Sequence, residues 1–283
     1  MPRFATPDPV ALHVDVSGAS LRLRATATDE TVVEVRPHNP ARQGDVDAAT
    51  RITVDHGQGR VTIRSPRTGM GRLRSLLGGG DRVDVEVTLP EGSALDVRGW
   101  GEVSATGVLG VVDIDNGMGD ISLDRVERVT GRTAMGDVHV ERVAGTADLR
   151  TSTGTVTIRA AGGDVAVRSS VGDVSVGAIE GRIHAVTTTG DVRIESARGD
   201  VTASASAGDV RIQRVQGGVV TVDSSYGRVD IGVAEGVAAW LDVEARHGAV
   251  RSELTDGQPP ADGDPTVELR VRSGYGDIVL HRA

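Results

Sequence analysis

Along most of the chain, apolar and polar residues alternate in short runs, and each run restarts after a glycine. From Gly136 the glycines fall every nine residues, at Gly145, Gly154, Gly163, Gly172, Gly181, Gly190, Gly199, Gly208 and Gly217. Upstream, Gly101, Gly110 and Gly119 keep the period; downstream it slips by one residue to Gly227, then Gly236. Alternate glycines open one phrase: GDISL at 119, GDVHV at 136, GTVTI at 154, GDVSV at 172, GDVRI at 190 and 208, GRVDI at 227 and GDIVL at 276. The repeat is therefore about 18 residues, built from two unlike nine-residue halves.

Aligned on that glycine, the first halves carry apolar ladders. The second position after Gly gives Val103, Ile121, Val138, Val156, Val174, Val192, Val210 and Val229, and the fourth gives Ala105, Leu123, Val140, Ile158, Val176, Ile194, Ile212 and Ile231. The position between them is polar, as at Ser122, His139, Thr157, Ser175, Arg193, Arg211 and Asp230. Period-two alternation marks a strand with one buried face. A third ladder, seven after Gly, runs Val108, Val126, Val143, Ala161, Ile179, Ala197, Val215 and Ala234. The other halves hold smaller inward residues, such as Ile183, Ala185 and Thr187 or Val201, Ala203 and Ala205. Large aliphatics facing small residues fill a narrow interior at native density. Strand, turn, strand and turn make one coil, and a lone coil cannot bury its apolar face, so coils must stack. The pattern predicts an all-β chain folded as a parallel β-solenoid, of the β-helix or β-roll type.

Before Gly101 the spacing is that of ordinary alternating strands: LHVDV (12–16), SLRLRATA (20–27), TVVEVR (31–36), RITVD (51–55), RVTIR (60–64) and RVDVEVTLP (82–90). These predict an N-terminal β cap over residues 1–92, ahead of solenoid repeats at 93–254 and a Pro/Gly-rich loop with closing strands at 255–283. A cap has a motive, because a bare end offers unpaired N–H and C=O groups to other chains. The segment 64–82 is basic and Gly-rich and carries Leu73, Leu76 and Leu77. It reads as a solvated hairpin loop or as a contact for an acidic surface. The segment 256–265, DGQPPADGDP, reads as a turn-rich insertion.

Composition narrows the chemistry. With 38 glycines and only 2% aromatic residues, the 38% hydrophobic content is almost wholly aliphatic, and the core is thin. Cysteine is absent, which excludes disulfides and thiolate metal sites. All 31 basic residues are Arg, and a net charge of −9 argues against nucleic acid as a partner. The N-terminal stretch lacks the apolar core of a secretory signal and no run reaches the ~18 apolar residues of a membrane span, so a cytoplasmic location is expected.

Candidate chemistry is sparse. The Asp after Gly repeats at Asp120, Asp137, Asp173, Asp191, Asp209 and Asp277, with breaks at Thr155, Arg228 and Ala249. Calcium-binding β-rolls stack carboxylates on nine-residue GGxGxDxUx repeats, but the paired glycines and the Gly-x-Asp step are missing here. The expectation is an Asx-turn, each carboxylate accepting a backbone N–H at its own corner. The histidines His13, His38, His56, His139, His184, His247 and His281 show no metal-site spacing, and His139 is expected to face solvent. Gly78–Gly80 is followed by no GK[ST], and no serine sits in a GxSxG elbow. Trp100 and Trp240, near the two ends of the array, are expected to pack into the ends. No catalytic, cofactor-binding or metal-ligating residue is nominated, and no cofactor is expected.

Three stretches carry a family likeness: VEVTLPEGSALDV (85–97), the GDVxV/GDVxI units, and the closing SGYGDIVL (273–280). In their order, the chain resembles the bacterial putative-adhesin family of β-strand-repeat proteins, a domain of unknown function. The resemblance implies a solenoid with an adhesive or scaffold role and carries no catalytic residues. The expected function is a non-enzymatic binding or scaffold protein, with a protein partner or self-association. The competing reading is a carbohydrate-active β-helix protein of the lyase or hydrolase kind. Such enzymes need protruding loops to shape a cleft, whereas the turns from 136 to 217 carry no insertions.

Overall fold

The computed structural model describes residues 1–66, 81–254 and 265–283. Leu73, Leu76 and Leu77 of the basic segment lie outside the described residues, as does all of 256–265 except Pro265. The chain divides into two compact units, residues 1–136 and 137–283.

The first unit contains β1 (Arg3–Ala5), β2 (Ala11–Ser17), β3 (Ala19–Thr26), β4 (Glu30–Pro37), β5 (Thr53–Gly57) and β6 (Arg60–Arg64). It continues with β7 (Val83–Pro90), β8 (Ala94–Trp100), β9 (Val103–Met118) and β10 (Ile121–Met135), and it holds the one helix among the described residues, α1 (Gln43–Arg51). Parallel coiling begins well before Gly101. Strand β2 lies parallel between β6 and β8, and β3 lies parallel between β7 and the start of β9. The first coil in the sequence, β2–β3, is thus sandwiched between two later ones. Its inward residues Leu12, Val14, Leu21 and Leu23 are buried accordingly. Antiparallel strands run along the outer edges of β6 and β7: β5 on β6, β4 on β7, and β1 on β4.

The second unit is a β-solenoid with two rows of parallel strands. One row begins with β11 (Val138–Val143), β13 (Val156–Ala161), β15 (Val174–Ile179), β17 (Val192–Ala197), β19 (Val210–Val215) and β21 (Val229–Val233). The other begins with β12 (Ala147–Thr153), β14 (Val165–Val171), β16 (Ile183–Thr189), β18 (Val201–Ala207) and β20 (Gly218–Tyr226). The last four strands are β22 (Ala238–His247), β23 (Val250–Ser252), β24 (Thr266–Tyr275) and β25 (Ile278–Arg282). They stack out of sequence order: β24 and β25 pair directly with β20 and β21, while β22 and β23 pair on the far side of β24 and β25. Hydrophobicity accounts for the exchange. The β24–β25 coil offers Val267, Leu269, Val271, Ile278 and Leu280, all fully buried, whereas β22–β23 offers Ala239, Leu241, Val243, Ala245 and Val250. Placing the more apolar coil inside removes more apolar surface from water.

The strand register follows the predicted ladders. Val138, Val156, Val174, Val192, Val210 and Val229 pair in turn, as do Val140, Ile158, Val176, Ile194, Ile212 and Ile231. Two rungs of the third ladder are corrected. Val126 pairs with Leu109 and Val215 with Val233, in place of Val108 and Ala234, because the register shifts at a bulge in each pair. Leu109 is buried while Val108 is half-exposed, so the extra residue beside Gly107 turns Val108 out.

The small halves put hydroxyls among the aliphatics. Thr187 Oγ1 donates to the Gly172 carbonyl at 2.9 Å, and Ser169 Oγ to that of Gly154 at 3.3 Å. These carbonyls belong to the corner glycines, which face one another coil on coil. At Gly190, φ is +134° and a Cβ would stand 2.4 Å from the Gly172 carbonyl oxygen. Gly217 has no such neighbour, its nearest being the Thr266 oxygen at 3.5 Å. Gly190→Ala should therefore cost about 2–5 kcal/mol, from a disfavoured φ and a backbone clash, while Gly217→Ala should stay within about 1 kcal/mol. Chemical denaturation of the two variants checks this, and equal losses would contradict the close approach of the corners.

Candidate functional site

The Asp row was expected to form Asx-turns, and the structure corrects that expectation. Five of the six carboxylates are seen to accept a backbone N–H at the corner, but the donor belongs to the neighbouring coil. Asp137 accepts from Thr155 at 2.7 Å, Asp173 from Asp191 at 2.9 Å, Asp191 from Asp209 at 2.9 Å and Asp209 from Arg228 at 2.8 Å. Asp277 accepts from Ala249 at 2.9 Å. The apparent breaks at Thr155, Arg228 and Ala249 thus still serve as backbone donors. A second row on the opposite corner, absent from the sequence reading, does the same: Asp164 accepts from Arg182 at 2.9 Å, and Asp200 from Val219 at 2.9 Å. Its signal was present in the Gly-Asp pairs at 163–164 and 199–200.

Arginines neutralise the stacked charge from outside. Arg193 donates to Asp173 at 2.9 Å, and Arg182 to Asp164 at 2.7 Å. The backbone N–H of Asp191, and then the Arg193 guanidinium, hold the Asp173 carboxyl below its ordinary range. Among the described residues no group of three or more His, Asp or Glu side chains is arranged to hold a metal ion.

The histidines are dispersed. His13 lies 2.9 Å from Asp96, His38 3.1 Å from Asp84, and His139, on the outward face as expected, 3.2 Å from Glu141. His184 contacts Arg168 and His56 contacts the ring of Phe4. His281 stands 2.9 Å from Asp230; a hydrogen bond to the Arg282 carbonyl, and then Asp230, raise its pKa above the ordinary value. Trp100 lies half-buried against Gly18. Trp240 departs from expectation: it is 67% exposed, because outward positions on β22 meet solvent instead of an end cavity.

His247 belongs to the one aromatic cluster among the described residues of the second unit. The residues just before the corner glycines form an outward row, Thr153, Val171, Thr189, Ala207, Tyr226, Tyr275 and His247, paired coil to coil. At its end three rings stack: Tyr226 on Tyr275 at 5.0 Å and 3°, and His247 on Tyr275 at 4.5 Å and 16°. Strand spacing of ~4.8 Å sets that separation. Both tyrosines are at least half exposed. Beside them lies a depression of about 500 Å³, walled by the two tyrosines, Arg246, Arg272, Asp223 and Glu244. The Ser224 hydroxyl, also lining it, is buried and has no partner. Arg272 is bound to Asp242 at 2.7 Å, whereas among the described residues Arg246 has no ion pair. The sequence reading missed this cluster because the out-of-order coil brings together SSYG (224–227), SGYG (273–276) and ARHG (245–248).

Residues 10–281 match the model of the Toastrack domain family DUF4097. The chain belongs to that family. The Toastrack fold is a β-solenoid, in agreement with the ladders above. A comparison with curated proteins finds no match. The solved structures that the chain matches include a putative adhesin from Bacteroides fragilis, at 13% identity and a TM-score of 0.32, covering 99% of this chain and 95% of that one. Another putative adhesin, from Parabacteroides merdae, shows 10% identity and a TM-score of 0.37, with 81% and 94% covered. A putative lipid binding protein from Parabacteroides distasonis shows 11% identity and a TM-score of 0.39, with 81% and 95% covered. Among the described residues of this Toastrack chain, no helix is long and apolar enough to cross a membrane.

The Asp staples have a pH signature. A carboxyl whose pKa is depressed by folding stabilises the fold above its unfolded value and loses that contribution as pH falls through the folded one. Replacing Asp173 by Asn keeps an acceptor and removes the charge. The melting-temperature gap between wild type and Asp173→Asn should be widest near neutral pH and close as the pH falls below 3.8, the ordinary Asp value. A gap that widens on acidification would contradict the staple.

Proposed function

We propose that this Toastrack protein is a non-enzymatic binding module that engages a protein partner through the corner of Tyr226, Tyr275 and Arg246. The observation that supports this reading is the exposed ring stack beside a guanidinium with no ion pair among the described residues and an unpartnered buried hydroxyl. Tyr and Arg are the residues that dominate the energetics of protein interfaces, and in this chain aromatics are too scarce to be spent on solvent at random. A carboxylate on the partner would satisfy Arg246, and apolar surface would cover the tyrosines.

The carbohydrate-active alternative needs two carboxyl groups flanking a scissile bond, one of them kept protonated. Asp223 and Glu244 are the pair in the depression, in one outward row with Arg272 between them. Two strand spacings set them roughly 9.6 Å apart, with the Arg272 guanidinium between them. That arrangement suits binding better than proton transfer.

The test is affinity capture from a lysate of the source bacterium, comparing wild type with a Tyr226→Ser/Tyr275→Ser variant of unchanged melting temperature. Proteins retained by the wild type should be lost from the variant. An identical captured set would contradict the assignment of this corner.

A further inference from the structure

The β22–β23 coil is the open end of the second unit. Among the described residues its strands pair on one side only, with β24 and β25. The inward rungs show the consequence: Leu241 is 46% exposed and Val250 47%, whereas their neighbours Leu269 and Ile278 are fully buried. Natural proteins guard such edges with Pro, bulges or inward-pointing charge. Strand β22, Ala-Ala-Trp-Leu-Asp-Val-Glu-Ala-Arg-His, has no Pro, keeps one register against β24, and points Ala239, Leu241, Val243 and Ala245 inward. A ten-residue edge with an apolar inner row and no second partner strand among the described residues is built to be paired.

We propose that the occupant of this end is a second copy of the same chain, joined by a two-fold axis that sets β22 antiparallel to β22 of its partner copy. The end of a coil presents two strand edges with apolar side chains between them, and a two-fold rotation returns the same two edges at the same separation. The side chains complement themselves about Val243. In the inner row Val243 meets its own counterpart and Leu241 meets Ala245, large against small as interiors require. In the outer row Trp240 meets Arg246, an exposed indole against a guanidinium that has no ion pair among the described residues. The like charges left facing each other, Asp242 and Glu244, are both already held by Arg272, at 2.7 and 3.6 Å. Backbone pairing then extends the sheet across the junction, and the closed symmetry stops growth at a dimer.

The register gives a direct test. The chain has no cysteine, so Val243→Cys introduces a single thiol that faces its own copy across the axis, at the ~4.5–5.5 Å Cβ separation of an antiparallel pair. Under mild oxidation, this variant should form a covalent dimer of twice the 29.3 kDa chain mass. Ala239→Cys, four residues from the axis, should not. Sedimentation equilibrium of the unmodified chain should show a reversible dimer. Leu241→Lys, which places a charge on a rung already open to water, should leave the monomer folded and abolish the dimer. The Tyr226→Ser/Tyr275→Ser change, made without touching Arg246, should leave the dimer intact, so this proposal and the partner-binding one stand or fall separately. A wild type that stays monomeric at high concentration, a dimer that survives Leu241→Lys, or cross-linking through Ala239→Cys instead of Val243→Cys would each overturn it.

Discussion

The constraint on which the second unit depends is the approach of backbone to backbone at the coil corners. Parallel strands at ~4.8 Å leave no room for a Cβ where the chain turns, and each turn exposes N–H and C=O groups that neighbouring strands do not pair. Glycine answers the steric part, as the Gly190–Gly172 contact shows. Aspartate answers the polar part by reaching across to the N–H of the next coil. Where the interior borders the corner, Thr187 and Ser169 give a hydroxyl to the glycine carbonyl. At these part-exposed corners each such hydrogen bond contributes about 0.5–1.5 kcal/mol, and the contribution recurs from coil to coil.

With the corners fixed, the interior can be narrow. The first-half strands contribute Val and Ile, and the second-half strands mix Val, Leu and Ile with Ala, Ser and Thr, which explains how a chain with 2% aromatic residues closes a core. The few aromatic residues are freed for the surface. Tyr226, Tyr275 and Trp240 all stand outside the core. Arginine contributes across the outer face, where it neutralises the stacked carboxylates without entering the interior.

Coil length, strand register and the direction of each side chain were legible in the sequence, because a nine-residue glycine period and a two-residue apolar period fix all three. The rungs at Leu109 and Val233 were not legible, since a bulge moves the buried position by one residue without changing the composition. The Asp row was visible and its partners were not. An Asp beside Gly satisfies a turn equally well within its own coil or across to the next, and only the stacking distance decides between them. The aromatic corner and the open end escaped for a third reason. Sequence order predicts spatial order in a solenoid only while every coil is equally apolar. The residues from 238 to 252 make a weaker coil than those from 266 to 280, and the chain places the stronger one inside.

The central claim, that one coil is two unlike halves held in register by its corners, is tested most directly by a pair of deletions. Removing 190–207 takes out one whole coil, so Val174 comes to stack on Val210, and Asp173 meets the N–H of Asp209. Removing 190–198 takes out half a coil, so GDVTASASA follows GRIHAVTTT and every later half falls on the wrong row. Cavities and overpacked rungs then each cost a few kcal/mol. Equilibrium denaturation should find the eighteen-residue deletion folded and cooperative and the nine-residue deletion unfolded. Equal stability of the two would contradict the account.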